Sequence, residues 1–415
     1  MAWKHRFALA LVLAALPPVA FCSAAPLAVQ QGESIVPRQD YFELRGGLTR
    51  ARHVFERTGR GRVAFLGGSI THNPGWRDQV CAYLRERFPN TSFDFIAAGI
   101  PSTGSTPGAF RLERDVFAGG PVDLLFEEAA VNDSSNGRSS TEQVRAMEGI
   151  VRRASTLNPR VDVILMHFVD PDKMRVYGEG SVPPVIRNHE RVATHYDIPS
   201  LNLALEVTER IARGEFTWKD DFRNLHPSPF GQDLYASSIR RTLEAAWPQA
   251  VEIVEGAEEP PPRALPEPLD PFCYDRGRLL PPTAVTSRGE FRLVERWSND
   301  VGGGTRPGFV DVPMLVGERP GDSFELEFRG SAVGLFIAAG PDAGVIEFRI
   351  DGGPWRERDL FTRWSARLHL PRLHVFDAEL DDDATHKLEV RITATHNEKS
   401  TGHACRVVNF AINGD

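Results

Sequence analysis

The chain has 415 residues, 41% hydrophobic and 25% charged, with Lys plus Arg 48 against Asp plus Glu 56 for a net charge of −8. This composition excludes collagen, a chain-long coiled coil and disorder throughout, and the length predicts two or three domains at roughly 100–200 residues each. A net negative chain lacks the electrostatic footprint of a nucleic-acid binder, and it argues against docking on anionic membranes.

Lys4, His5 and Arg6 form a short basic start. Residues 7–21 follow as an apolar run interrupted by Pro17 and Pro18, and Ser23-Ala24-Ala25 supplies small residues at its end. The run is too short to span about 30 Å of hydrocarbon comfortably, so residues 1–25 are expected to be a cleaved secretory signal. The expected location is secreted or periplasmic, with no stable membrane insertion after cleavage. Phe21 stands where a lipoprotein site before Cys22 wants a small residue. Cleavage would leave Cys81, Cys273 and Cys405. An oxidising compartment permits a disulfide, and Cys273 and Cys405 share the C-terminal third. Cys81 falls on the inward face of a predicted helix and is expected to pack as a small apolar residue. No Cys/His spacing suggests zinc.

Residues 26–250 read as one domain. Short apolar runs at residues 62–66, 93–97, 122–126, 161–169 and 200–203 predict buried strands. Between them, Trp76, Val80, Tyr83, Leu84 and Phe88 recur at helical spacing. Ser140 and Gln143 form a capping-box pattern before a second helix. Residues 185–196 and 229–247 predict two more. Strands alternating with helices imply a parallel sheet covered on both faces. Residues 251–282 are polar and proline-rich, with Pro260-Pro261-Pro262 at their centre, and read as a semi-rigid linker. Beyond it, residues 324–328, 345–350, 387–392 and 406–412 alternate with period two or run apolar, and Asp351-Gly352-Gly353 marks a turn. Residues 283–415 therefore predict a second, all-β sandwich domain.

Four segments carry the chemistry. Strand residues 63–66 run into Gly67-Gly68-Ser69-Ile70-Thr71, which would expose a serine hydroxyl at the strand's C-terminal end. Open α/β sheets bind ligands at that edge. The loop Gly99-Ile100-Pro101-Ser102-Thr103-Gly104 follows the second strand, Ala130-Val131-Asn132-Asp133 the third, and Leu225-His226-Pro227 precedes the last helix. In a parallel sheet these ends share one rim and can converge. Glu127 and Glu128 resemble a glycosidase carboxylate pair, but adjacent strand positions face opposite ways, which argues against shared acid–base work.

With these blocks in this order, residues 45–247 resemble the SGNH (GDSL-like) hydrolase family. The resemblance implies a flavodoxin-like three-layer α/β fold with a parallel sheet, and a serine esterase. Ser69 would be the nucleophile and His226 the general base. The Ser69 N–H, a block-two N–H (Gly104, or Ser102 in an alternative register) and the Asn132 amide would form the oxyanion hole. The family's usual Asp three residues before the His is here Arg223. Asp221, Asp220 or a backbone carbonyl would then stand third, or Ser69 and His226 would work as a dyad. His72, three residues after Ser69, is a candidate substrate contact, whereas His167, His189 and His195 are expected to be structural. No metal or cofactor is implied.

The C-terminal region, with Trp297, Trp355 and Trp364, resembles sandwich domains attached to exported carbohydrate esterases. The expected substrate is an acylated carbohydrate or other small ester, and the expected reaction removal of acetyl or another small acyl group. A lipase or thioesterase, an acyltransferase, and a non-catalytic carbohydrate-binding protein are the alternatives. Arg223 favours the last.

Overall fold

The computed structural model describes residues 40–247 and 261–414. The expected signal segment, Cys22 and residues 251–260 of the expected linker lie outside them. In chain order the first part contains β1 (Phe42–Glu43), α1 (Thr49–Thr58), β2 (Arg60–Gly67), α2 (Ser69–His72), α3 (Trp76–Arg87), β3 (Ser92–Gly99), α4 (Ser105–Leu112), β4 (Leu124–Glu128), α5 (Ala130–Ser135) and α6 (Ser140–Leu157). Then come β5 (Asp162–Met166), α7 (Pro171–Gly178), α8 (Pro184–His195), β6 (Ser200–Leu201), α9 (Leu203–Ala212) and α10 (Pro229–Ala246). The sheet order is β1-β6-β5-β4-β2-β3. β2 to β6 run parallel, and β1 adds an antiparallel edge.

The five expected strands and four expected helices are all present. The cap of α6 is Ser139, whose hydroxyl accepts from Glu142 N–H, one residue before the sequence pattern placed it. The strands β4 and β5 are buried at every position, as a sheet covered on both faces requires. Phe65 and Phe126 point into one apolar layer, with Trp76, Phe168 and Tyr235. Leu66 and Leu125 point into the other, with Phe110, Met147 and Ile150.

The second part contains β7 (Gly277–Leu280), β8 (Arg292–Val294), β9 (Met314–Gly317), β10 (Ser323–Arg329), β11 (Ala332–Ala339), β12 (Val345–Ile350), β13 (Arg356–Asp359), β14 (Leu370–Asp377), β15 (Thr385–Ile392) and β16 (Cys405–Asn413). They form two antiparallel sheets, β10-β15-β12-β13 and β14-β11-β16-β9-β8, with β7 also pairing β16. Phe324, Leu326, Phe348, Leu335 and Phe410 fill the space between the sheets. The opposite face of the second sheet packs Phe336, Ala338, Leu373 and Ala411 into the same apolar layer as α4 and α6. The sandwich is thus seated on the helices, and the described residues from Tyr41 onward form one compact unit.

The described part of the proline-rich stretch, residues 261–282, is a fixed strap along α6. Leu269 and Asp270 donate their N–H groups to the Glu148 carboxylate, and Tyr274 N–H donates to the Arg145 carbonyl. Arg263 reaches the buried Asp162. Buried charges and backbone bonds anchor this segment, so its prolines do not make it a spacer. Cys273 and Cys405, whose pairing the sequence left open, are both buried as free thiols, and Cys81 is a buried thiol packed in the first apolar layer.

Candidate active site

β2 delivers Gly67 and Gly68 to the sheet's C-terminal rim, and α2 starts at Ser69. The serine is half-buried. His226 arrives from the loop before α10, and its Nε2 lies 2.7 Å from Ser69 Oγ across 157 residues of sequence. The Asn224 side chain accepts from the His226 N–H at 2.8 Å and shapes this loop. Partial desolvation in the cleft, then the Arg306 guanidinium, hold the His226 pKa below the ordinary histidine value. The neutral imidazole can therefore take a proton near neutrality.

The expected third member is elsewhere. Asp221 ends its side chain on Thr217, accepting from the Thr217 N–H at 2.7 Å and the Thr217 hydroxyl at 3.0 Å. It closes the π-type turn Trp218–Phe222 and does not hold His226. Asp220 gives its N–H to the Thr217 hydroxyl in the same turn. Arg223 leaves that turn with φ 79°. Among the described residues, His226 Nδ1 has no side-chain or carbonyl partner, which is the arrangement of a Ser–His dyad.

The block-two loop needs a correction. Thr103 N–H closes a turn onto the Ile100 carbonyl at 3.2 Å. Ser102 occupies the third position of that turn with φ 74° and lines the cleft. Gly104 is buried at the N-cap of α4, where a Cβ would meet Asp133 Oδ1 at 2.1 Å. Its glycine answers to packing, and Ser102 is the residue that faces the cleft. Asn132 stands at the start of α5 on the cleft wall. The neighbouring Asp133 accepts from Ser105 N–H at 2.9 Å and Ser105 Oγ at 2.5 Å, and contacts His189 Nε2 at 3.1 Å. This buried carboxylate ties the Asn132 segment to the block-two loop. Among the described residues, no acceptor meets the N–H of Ser69 or Ser102 or the Asn132 carboxamide.

The cleft has a volume of about 690 Å³ and is lined from both parts of the chain. Ser69, His72, Ser102, Asn132 and His226 form one side, and Arg306, Pro307, Arg363, Trp364 and Leu370 of the sandwich form the other. Trp364 is 51% exposed. Arg363 lies 4.9 Å over its ring and donates to the Ser135 carbonyl at 3.2 Å. Sequence reasoning named Trp364 as one of three candidates and missed Arg306 and Arg363, which lie on loops without a motif. Trp297 is core, and Trp355 lies under Arg349 and Arg391. His72 lies in the cleft with Nδ1 3.1 Å from the Gly99 carbonyl. His167 and His189 are fully buried. Glu127 and Glu128 are buried and outside the cleft lining. Among the described residues, no group of three His, Cys, Asp or Glu side chains is placed to hold a metal.

A serine within proton-transfer distance of a neutral imidazole, beside free N–H donors at a parallel-sheet rim, defines a serine ester hydrolase. Residues 65–234 match the model of the GDSL-like Lipase/Acylhydrolase family. A search of the curated proteins gave no match. Among solved structures, a two-domain esterase active on acetylated mannans, co-crystallised with mannopentaose, superposes with a TM-score of 0.70 at 25% identity. The alignment covers 89% of this chain and 96% of that one. A second structure of a two-domain esterase active on acetylated mannans gives a TM-score of 0.71 at 24% identity, covering 90% and 97%. Both parts of the chain are thus included in the likeness.

Proposed function

We propose that the protein is an exported esterase that removes acetyl groups from a carbohydrate through an acyl-enzyme on Ser69. The observation that carries this reading is the 2.7 Å contact between His226 Nε2 and Ser69 Oγ. His226 takes the hydroxyl proton as Oγ attacks the acyl carbon. The carbonyl π electrons move onto oxygen, and the oxyanion meets the N–H groups of Ser69 and Ser102 and the Asn132 carboxamide. The imidazolium then gives its proton to the departing sugar oxygen as the C–O bond breaks. Water repeats the sequence, losing a proton to His226, and Ser69 leaves the second tetrahedral intermediate with that proton. The substrate class is supported by the likeness to an esterase active on acetylated mannans and by the exposed Trp364 at the cleft. Its apolar face suits stacking against a sugar. Export is supported by the basic, apolar and small-residue order of residues 4–25.

Hydrolysis of p-nitrophenyl acetate and of acetylated mannan tests the reading. Ser69→Ala and His226→Ala are expected to lose at least about 10³-fold in kcat/KM, since an unaided serine is a poor nucleophile. Asp221→Ala is expected to stay within about 5-fold, because its carboxylate serves the Thr217 turn. Activity that survives Ser69→Ala would end the proposal. A collapse in Asp221→Ala equal to that in His226→Ala would restore the triad.

A further inference from the structure

The mechanism leaves unused a set of buried charges behind the nucleophile. Glu128 is 1% exposed and Arg111 is fully buried. Glu128 Oε1 accepts from the Gly68 N–H at 2.7 Å and from the Thr71 hydroxyl at 2.9 Å, so it binds on both sides of Ser69. Arg111 Nη2 donates to the Gly67 carbonyl at 3.1 Å. The Gly67 carbonyl and the Gly68 N–H belong to one planar peptide group. Its two polar handles are held by an anion and a cation from opposite sides of the sheet. Strand alternation puts Glu128 on the Phe126 face. Arg111 comes from α4, whose Ala109, Phe110 and Leu112 pack on the other face.

A Gly-Gly pair is the most permissive backbone the chain could place before a nucleophile. Left free, rotation about Gly67 ψ and Gly68 φ would carry Ser69 Oγ away from His226. Burying two charges costs free energy that only tight pairing offsets. Both keep polar atoms unused, since Glu128 Oε2 and Arg111 Nε have no partner among the described residues. Neither residue lines the cleft. Burial, outweighing the two hydrogen bonds, raises the Glu128 carboxyl to about 7. Oε1 can accept both bonds whether or not a proton sits on Oε2.

We propose that Glu128 and Arg111 are positioning residues that clamp the Gly67–Gly68 peptide and so aim Ser69 at His226 and at the acyl carbon. The proposal rests on Ser69 being the nucleophile. Its function is to set the geometry of the chemical step, so its loss falls on kcat and leaves KM nearly unchanged.

The test is steady-state hydrolysis of p-nitrophenyl acetate by Glu128→Leu, Glu128→Gln and Ser69→Ala, with circular dichroism and thermal unfolding of each. Glu128→Leu removes the acceptor, and kcat is expected to fall about 30- to 100-fold, the scale of a displaced reacting group, with KM within about 3-fold. Glu128→Gln keeps an oxygen at the Oε1 position and is expected to recover kcat to within about 5-fold of wild type. A folded Glu128→Leu variant with kcat within about 3-fold of wild type overturns the clamp. So does a folded Glu128→Gln variant that falls as far as the leucine variant. Should Glu128→Leu fail to fold, Thr71→Val removes one of the two bonds, and an undiminished kcat there overturns it as well. If Ser69→Ala is inactive while the Glu128 variants are unimpaired, only the clamp fails. If Ser69→Ala keeps wild-type activity, the nucleophile reading and the clamp fail together.

Discussion

Burial in the cleft and then Arg306, 80 positions away in sequence, lower the pKa of His226, the base proposed to activate Ser69. Arg306 brings a guanidinium to the side of the cleft facing His226, where positive charge disfavours a second cation. The active form is the neutral imidazole. A pKa below the ordinary value keeps that form populated as pH falls, so the acid limb of kcat/KM lies below 6.5. Arg306→Gln removes the cation and is expected to move that limb upward, toward the ordinary histidine value. The pH profile of p-nitrophenyl acetate hydrolysis measures this, and superimposable limbs would show that Arg306 does not act on the base. At this scale, the convergence of Ser69, Asn132 and His226 on one cleft was legible because each follows a strand end or precedes a helix on one rim. Asp221 was misread because spacing along the chain cannot show that Thr217 captures its carboxylate. Ser102 and Gly104 could not be separated, because the sign of a backbone dihedral decides which of them faces the cleft.

Among the elements, the strands read most clearly are those with one wet face. β10 and β15 alternate buried with less buried positions, and their sequences alternate too. β11 is buried at all eight positions, between its partner sheet and the helices. Its Ala-Val-Gly-Leu-Phe-Ile-Ala-Ala therefore has no period to detect. The strap on α6 was read as a spacer because proline content signals stiffness, whereas its anchors are single residues on distant elements. One of these is a close approach: a Cβ on Gly149 would lie 2.6 Å from the Tyr274 carbonyl group. Backbone cannot yield as a side-chain tip can. Gly149→Ala is therefore expected to gain helix propensity yet lose about 1–3 kcal/mol net by forcing the strap off α6. Urea unfolding measures the loss. A variant as stable as wild type would mean that strap and helix are loosely coupled.

For the molecule as a whole, the cleft exists because the sandwich sits on the α/β part, and no sequence motif records that seating. Arg306, Arg363 and Trp364 reach Ser69's side of the molecule only because β11, β14 and β16 press their second apolar face onto α4 and α6. The small acyl group and the rest of the substrate should then depend on different walls. On the proposed reading the acyl carbon meets Ser69, His226 and the donors at the sheet rim, whereas a chain of sugars would cross the sandwich side, where Trp364 lines the cleft. Trp364→Ala is expected to leave kcat/KM for p-nitrophenyl acetate within about 3-fold of wild type. For an acetylated polysaccharide it should raise KM about 5- to 20-fold, the equivalent of the roughly 1–2 kcal/mol that an aromatic platform supplies. Parallel assays on the two substrates decide the matter. Equal losses on both would mean that Trp364 supports the catalytic residues, and no loss on either would mean that the sugar chain leaves the cleft by another side.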